Sequence, residues 1–325
     1  MRSYGATMSF NLDFNIVGIG EVLWDLLLTG KQLGGAPTNF AYHAHALGAQ
    51  THMVTRVGND EYGHEIIRRF RNMGLPHSTV QIDRSRPTGT VKVVLSGDGL
   101  AHFTVLENVA WDYIAVTDEA LAAARAADAI CFGSLAQRSN TSLKTIQQLV
   151  AAVPAHALRV FDINLRQRFY SREVIEKSLQ LANVLKLNDD ELPRLAEMFG
   201  LTPVTKHHGN PIDNQVKAQL EYFARTFDLQ LVALTRGPGG SLLYQQGRWS
   251  DCESSPVQVI DTVGAGDSFA ASLVLGLLRK MDLDEINGVA NEIARYVCSQ
   301  AGGTPPMPPE FAQRFSGASR QRRPA

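Results

Sequence analysis

Short apolar segments, rich in β-branched residues, recur along the chain, and longer amphipathic segments separate most of them. The apolar segments predict strands at residues 15–20, 51–57, 129–132, 159–163, 184–187 and 229–235. The amphipathic segments, with apolar residues at helical spacing, predict helices at residues 61–73, 142–153, 189–199 and 215–227. Buried strands that alternate with helices are typical of a parallel sheet covered on both faces. The pattern therefore predicts an α/β fold.

One region departs from this alternation. Residues 88–96 alternate as a half-buried strand does, Gly97-Asp98-Gly99 supplies a turn, and residues 101–106 return. This pattern indicates a β-hairpin. The hairpin could join a strand near residues 21–28 in a small separate sheet, or it could form an antiparallel edge of the main sheet. The residues alone leave both arrangements open.

Composition narrows the class of protein. The 325 residues, 44% hydrophobic and 19% charged, suit a globular enzyme with one large core. A net charge of −1 provides no basic field for a nucleic-acid backbone, so we expect no nucleic-acid partner. The basic run at residues 320–323 lacks apolar periodicity, and we expect residues 316–325 to form a disordered tail.

Cysteine usage and hydropathy indicate the compartment. The three cysteines lie far apart without a CxxC pair, which fits a reducing environment. The first nine residues lack the apolar core of a signal peptide, and no apolar run approaches the roughly 20 residues of a membrane span. We therefore expect a cytoplasmic protein without a membrane partner.

The strongest chemical signal is the string DTVGAGDSF at residues 261–269. Its Gly-Ala-Gly stretch directly precedes a helical pattern, with Phe269 and Leu273 on one face. Small residues at a helix start leave backbone N–H groups open to an anion, and the helix dipole adds positive charge there. Asp267 falls in the first turn. Alone, it could be only a stabilising N-terminal charge.

The complete string resembles the C-terminal signature of the ribokinase-like (PfkB) carbohydrate kinase family, and the resemblance extends over about residues 16–306. It implies a three-layer α/β/α fold with a mainly parallel central sheet and a small β-sheet lid. It further implies a single kinase domain at residues 10–315, with the lid near residues 21–33 and 88–110. In this family the residue matching Asp267 takes the proton from the sugar hydroxyl. The amides of Gly264, Ala265, Gly266 and Asp267 would form the anion hole.

Further segments match the family's sugar site. The string GGAPTN, which contains Gly34, Gly35 and Asn39, is similar to the N-terminal sugar-binding signature. Asp25 matches a carboxylate that binds sugar hydroxyls. Gln137 is expected at the pocket edge, and Arg166 either anchors ligand charge or forms a structural ion pair.

The nucleotide side is implied by weaker matches. Asn188 and Glu191 resemble an Asn-x-x-Glu motif that would hold Mg²⁺ through water, although the same spacing is that of a helix capping box. The matches expected around ATP are Thr235, Gly237, Gly240, Asn291 and Gly302. Asp261 and Val263 correspond to oxygen donors for K⁺ in several members. A P-loop and a complete dinucleotide fingerprint are both absent from the sequence.

The residues of these motifs are most similar to those of fructokinases. This resemblance implies D-fructose as the sugar and a homodimer formed through the lid. The rival within the family is a 2-keto-3-deoxygluconate kinase, whose substrate carboxylate needs a cation such as Arg138, Arg166 or Arg168. A nucleoside kinase would need an aromatic slot for a base. Outside kinases, the alternatives are a catalytically silent sugar-binding regulator and an NAD-dependent oxidoreductase, and fold class alone does not separate them.

Overall fold

The computed structural model describes residues 14–27, 30–95, 101–203 and 214–316. Within them the chain forms two β-sheets and two layers of helices. The strands are β1 Asn15–Ile19, β2 Leu23–Leu27, β3 Gly30–Gly34, β4 Gln50–Gly58, β5 Val80–Asp83, β6 Gly89–Leu95, β7 Ala101–Val105, β8 Ala129–Phe132, β9 Leu158–Asp162, β10 Val184–Asn188, β11 Leu231–Thr235, β12 Ser241–Gln245 and β13 Arg248–Cys252.

The described helices alternate with the strands through the middle of the chain, and three of them follow the last strand. They are α1 Ala36–Ala46, α2 Glu61–Asn72, α3 Asp118–Arg125, α4 Asn140–Ala152, α5 Arg172–Leu181, α6 Glu191–Met198, α7 Asn214–Thr226, α8 Ala265–Arg279, α9 Leu283–Cys298 and α10 Pro309–Gln313. Short 3₁₀ turns occur at Ala110–Tyr113, Leu135–Arg138 and Gly237–Gly239. No helix among the described residues is long and apolar enough to cross a membrane.

The larger sheet has the order β13-β12-β11-β10-β9-β8-β1-β4-β5 in the described chain. From β5 to β11 all neighbours pair in parallel, whereas β12 and β13 continue the edge in antiparallel pairing. The predicted parallel α/β sheet is thus confirmed. The antiparallel edge is a finding that the strand-helix alternation did not predict.

Alternate residues of each central strand face opposite helix layers, as the two-residue period of a strand requires. On β10, Leu185 and Leu187 pack with α3 to α7, whereas Val184 packs with α1, α8 and α9. The same alternation holds on β8, where Ile130 and Cys131 face opposite layers. Burial on both faces explains the continuous apolar segments in the sequence.

The hairpin belongs to a separate four-stranded sheet, in the order β3-β2-β6-β7. Strand β2 pairs with β6 in parallel and with β3 in antiparallel fashion. The choice that the sequence left open is therefore resolved in favour of the small separate sheet. Its attachment is well packed, because Trp24 and Trp111 are both fully buried.

The predicted elements agree with the structure to within about two residues at most ends. The predicted helix at residues 61–73 is Glu61–Asn72, and the predicted strand at residues 129–132 is Ala129–Phe132. The predicted tail lies outside the described residues except for Ser316.

Candidate active site

Many of the candidate functional residues collect at the carboxyl ends of the parallel strands of the larger sheet. Glu21 follows β1, Gln137 follows β8, Arg166 follows β9, Glu191 follows β10 and Gly240 follows β11. Parallel strands place their carboxyl ends at the same edge, so segments far apart in sequence meet there. In the larger sheet, β1 has β4 on one side and β8 on the other, and the chain forms β4 before it forms β8. This edge is where α/β sheets bind ligands.

The string at residues 261–269 forms a loop and the first turn of α8. Gly264 is the N-cap, in the left-handed conformation with φ 80°. A side chain there would be strained, and its β-carbon would lie 2.2 Å from the carbonyl oxygen of Gly303. Ser268 is the first residue whose N–H bonds back into the helix, to the carbonyl of Gly264. The amides of Gly266 and Asp267 therefore precede the hydrogen-bonded turns and can receive an anion.

Asp267 lies against helix α1. The side-chain amide of Asn39 donates a hydrogen bond from Nδ2 to Asp267 Oδ2 at 2.8 Å. Asn39 is 3% exposed, and among the described residues its Oδ1 has no partner. The contact joins the two family-like signatures, which are 228 residues apart.

Desolvation by burial raises the pKa of Asp267 to about 6. The neighbouring Asp162 carboxylate acts in the same direction, whereas Lys186, the Asn39 hydrogen bond and Arg166 oppose it. A carboxylate whose pKa is close to neutral is a stronger base than an ordinary aspartate and is still ionised at pH 7. The arrangement can therefore accept a proton beside a group of free amides.

Two further carboxylates lie at the start of the small sheet. Burial raises the pKa of Glu21 to about 7 and the pKa of Asp25 to about 6, and the positive charge of Arg166 opposes both shifts. Asp25 stands beside Gly34, since a β-carbon on that glycine would lie 2.5 Å from Asp25 Oδ2. Gly35 packs against the backbone of Glu21. The glycines thus let β3 approach the Asp25 carboxylate and let the start of α1 approach the backbone of Glu21 closely.

Arg166 and the other arginines have different environments. The Arg166 side chain is exposed at the end of β9, and its charge acts on the three site carboxylates Glu21, Asp25 and Asp267. Arg138 instead forms a buried two-pronged ion pair with Asp112, at 2.7 and 2.9 Å. Arg166 is therefore the better placed of the two to meet a ligand's negative charge.

Gln137 lies in the interior of the protein. It is 2% exposed, and its Nε2 donates to the carbonyl of Gly133 and to Ser178 Oγ, both at 2.9 Å. Both amide hydrogens are thereby used within the protein. The side chain turns towards α5, and among the described residues its Oε1 has no partner, so the place of Gln137 at the pocket edge stays a prediction.

Asn188 and Glu191 adopt the reciprocal contacts of a capping box. Asn188 Oδ1 accepts from the N–H groups of Asp190 and Glu191, and Glu191 Oε2 accepts from the N–H of Asn188. Glu191 Oε1 also accepts from the N–H of Leu165. With these oxygens already hydrogen-bonded, contact with a metal through water fits better than direct ligation. The described residues contain no cluster of three or more His, Cys, Asp or Glu able to hold a metal.

The glycine-rich loop after β11 is a tight turn. Gly237 and Gly240 both have positive φ, and Arg236 ties the loop to Asp251. Thr235 ends β11, with Oγ1 3.4 Å from the carbonyl of Leu187. This loop is mostly exposed at the same sheet edge.

Asn291 belongs to a polar network beneath that loop. Its side-chain amide donates to Ser241 Oγ and to the carbonyl of Asn287. Asn287 is fully buried and donates to Ser250. The network ties α9 to β12 and β13, so Asn291 has a structural role, and its expected contact with ATP stays a prediction.

The segment around residues 302–305 is held between α1 and the loop before α8. The Asp261 carboxylate accepts from the N–H groups of Val263 and Gly302, both at 3.0 Å. His43 Nε2 donates to the carbonyl of Gly303 at 2.9 Å. Burial lowers the pKa of His43 to about 4, so its ring is neutral at pH 7. No local sequence pattern predicted these long-range contacts.

Two charged residues that the motifs did not mark lie beneath α8. Lys186 and Asp162 form an ion pair, with Lys186 Nζ 3.0 Å from Asp162 Oδ2, and each side chain is 7% exposed. A usable signal was present, because each residue places a charge near the carboxyl end of a largely apolar strand. Buried charges are rare without a partner, so a lysine and an aspartate in adjacent strands suggest a pair.

Comparison with known proteins agrees with this geometry. The model of the pfkB family carbohydrate kinases matches residues 6–310. The chain belongs to this family. It is therefore a PfkB-family sugar kinase, and the predicted ribokinase-like fold and family resemblance are confirmed.

Individual PfkB relatives cover almost the whole chain. A fructokinase of Solanum tuberosum is 26% identical, over 95% of this chain and 97% of its own length. An uncharacterised sugar kinase of Pyrococcus horikoshii, solved in complex with ATP, is 27% identical with a TM-score of 0.75, covering 92% of this chain and 99% of that one. The aminoimidazole riboside kinase of Salmonella enterica shares the fold at 19% identity, with a TM-score of 0.73 over 93% of this chain and 99% of that one.

Proposed function

We propose that this sugar kinase transfers the γ-phosphate of ATP to a terminal hydroxyl of D-fructose, with Asp267 as the general base. The observation that carries the proposal is the Asn39–Asp267 hydrogen bond at the open amides of α8. It unites a proton acceptor and an anion-binding helix start in one place. Phosphoryl transfer requires this combination, because the protein must position a hydroxyl and neutralise charge on the phosphate.

The base and the amides have separate tasks. Asp267 takes the proton of the attacking hydroxyl, which becomes the new phosphate-ester oxygen. The amides of Gly264, Ala265, Gly266 and Asp267 receive the negative charge of the transferring phosphoryl group. Asn39 holds the carboxylate in place and, through its free Oδ1, can accept from a second sugar hydroxyl. Asp25, Gly34 and Gly35 would contact other hydroxyls.

ATP would lie along the loops that follow β10 and β11. Its contacts are assigned to Asn188, Thr235, Gly237, Gly240, Asn291 and Gly302. Mg²⁺ would accompany the phosphates and supply charge neutralisation, and Asn188 and Glu191 would reach it through water, consistent with their occupied oxygens. A K⁺ site at Asp261 and Val263 is compatible with the short loop that the Asp261 carboxylate fixes.

Fructose is proposed because the fructokinase of Solanum tuberosum aligns along almost its entire length. A 2-keto-3-deoxygluconate kinase is the second candidate, and one observation favours it. The exposed Arg166 lies near the site carboxylates, where a substrate carboxylate could meet it. Arg138 and Arg168 are less suited, since they pair with Asp112 and Glu107.

We further propose that residues 10–315 act as one kinase domain whose small sheet closes over the sugar. The segments at residues 21–33 and 88–110, which contain β2 and β6, would form the lid and pair with a second copy in a homodimer. Closure excludes water and suppresses hydrolysis of ATP. The free cysteines suit the cytoplasm, where ATP is available.

The test is ADP release by the purified protein with Mg-ATP. The panel contains fructose, glucose, ribose, 2-keto-3-deoxygluconate and adenosine, and each sugar is run with the parent chain and with Asp267→Asn. Turnover of fructose that falls at least about 10³-fold in the variant supports both the sugar and the base. Asp118→Asn, at an exposed aspartate of α3, is the matched control and should leave turnover unchanged.

The other outcomes divide the proposal. Turnover of 2-keto-3-deoxygluconate alone would retain the base and replace the sugar, and Arg166→Gln should then raise KM more than it lowers kcat. Equal turnover by the parent and Asp267→Asn would refute the assigned base. Sugar binding without turnover of any member of the panel would favour a regulator.

A further inference from the structure

The carboxyl ends of β9 and β10 carry charges on the face that helix α8 covers. Val160 on β9 and Val184 on β10 pack with α8, so the residues two positions further along each strand, Asp162 and Lys186, face the same helix. Both lie under its first turn rather than its apolar middle. The pair is thus buried directly beneath the amides of the candidate anion hole.

The distance between this pair and α8 is short. A β-carbon on Gly266 would lie 2.9 Å from Lys186 Nζ. The same ammonium is 3.1 and 3.0 Å from the two oxygens of Asp162. One positive charge therefore stands between the Asp162 carboxylate and the turn that carries Asp267.

The charged and titratable groups near Asp267 come from every element packed around it. Lys186 and Arg166 favour its ionised form, as does the Asn39 hydrogen bond, whereas burial and Asp162 disfavour it. The electrostatic neighbours and the segments that carry them are Glu21 after β1, Asn39 on α1, Cys131 on β8, Asp162 on β9, Arg166 after β9 and Lys186 on β10. Among these, Lys186 is the buried cation, and Arg166 is exposed.

We propose that Lys186 and Asp162 are positioning residues for the catalytic base, with Lys186 holding Asp267 in its ionised, proton-accepting form from beneath the first turn of α8. Asp162 fixes the ammonium and limits its effect, because its own negative charge opposes ionisation of Asp267. Both side chains are 7% exposed, so in this proposal the pair acts on Asp267 and not on the ligands. The proposal rests on the proposed function only for the role of Asp267 as base.

The test compares variants in which position 162 is neutral. Asp162→Asn retains the lysine charge, and the double variant Asp162→Asn/Lys186→Met removes it without leaving a buried carboxylate unpaired. Exchanging a buried ion pair for neutral side chains is often tolerated, and thermal melting checks that both variants fold. The Asp267 carboxyl carbon is followed by ¹³C NMR in aspartate-labelled protein, with its resonance assigned by Asp267→Asn. The exposed Asp118 is the internal control.

The expected result is a fall in the Asp267 pKa from the parent to Asp162→Asn, and a rise of about one pH unit from Asp162→Asn to the double variant. The control resonance of Asp118 should be the same in all three proteins at each pH. General loosening of the site would not move the two steps in opposite directions. If Asp267 has the same pKa in Asp162→Asn and in the double variant, the proposal is overturned.

This titration needs no substrate, so it separates the two proposals. A protein that turns over none of the tested sugars could still show both pKa steps. If turnover is found, the acid limb of the kcat/KM profile should shift in the same two directions. Unshifted limbs in an active enzyme would contradict the link between the pair and the base.

Discussion

Glu21 makes a pH-dependent contribution to stability that can be measured without a substrate. It is 2% exposed, and its Oε2 has no hydrogen-bond partner among the described residues. Burial raises the pKa of this carboxyl from an ordinary 4.5 to about 7. Because the pKa is higher in the folded state, the stabilising contribution is complete below pH 4.5 and is lost as the pH rises through 7.

The magnitude follows from the two pKa values. A difference of about 2.5 pH units, at about 1.36 kcal/mol each, corresponds to about 3 kcal/mol in the free energy of unfolding. Glu21→Gln removes the titration. The new side-chain amide has no hydrogen-bond partner at the position of Oε2. This lowers the free energy of unfolding by about 1 kcal/mol, by the same amount at every pH. The variant should therefore gain about 2.5 kcal/mol relative to the parent between pH 5 and pH 8, because part of the change occurs below pH 5.

The assay is urea unfolding at pH 5, 6, 7 and 8, followed by circular dichroism and tryptophan fluorescence. Glu197→Gln, at an exposed position of α6, is the matched control and should follow the parent at every pH. Parallel pH profiles for the parent and Glu21→Gln would refute the reasoning. They would mean that, in solution, the carboxylate of Glu21 is hydrated or accepts a hydrogen bond from a nearby donor.

Three further predictions follow from the same geometry. Gly264→Ala should destabilise the protein by about 2–4 kcal/mol, because of the positive φ of Gly264 and the contact of a β-carbon with Gly303. In thermal melting, the control Gly288→Ala should be as stable as the parent, because the space around its β-carbon is open. Below pH 6, kcat/KM should fall about tenfold per pH unit, because the pKa of Asp267 is about 6 and only its ionised form accepts the proton; a flat pH–rate profile would contradict this. Asn287→Ala should lower the free energy of unfolding in urea by about 2–4 kcal/mol, because it removes the buried side-chain amide that hydrogen-bonds to Ser241 and Ser250.

Local sequence predicted much of the fold and the most specific part of the site. The alternation of apolar and amphipathic segments gave the parallel sheet and its helices to within about two residues at most ends. The helix start at residues 261–269 was also recognisable, because a glycine N-cap and a first-turn aspartate act on their own backbone. Such features depend on neighbours in the chain, and a sequence displays them directly.

Contacts between distant segments were decided only by the tertiary structure. The Asn39–Asp267 hydrogen bond, the Lys186–Asp162 pair and the inward turn of Gln137 all join separate strands or helices. The pairing of β2 with β6 in the separate small sheet also joins distant segments. Which segments meet depends on the packing of the whole core, and the charge that a buried group carries depends on everything packed around it. The sequence therefore determined which residues could perform the chemistry, and the fold determined which of them face one another and in what ionised form.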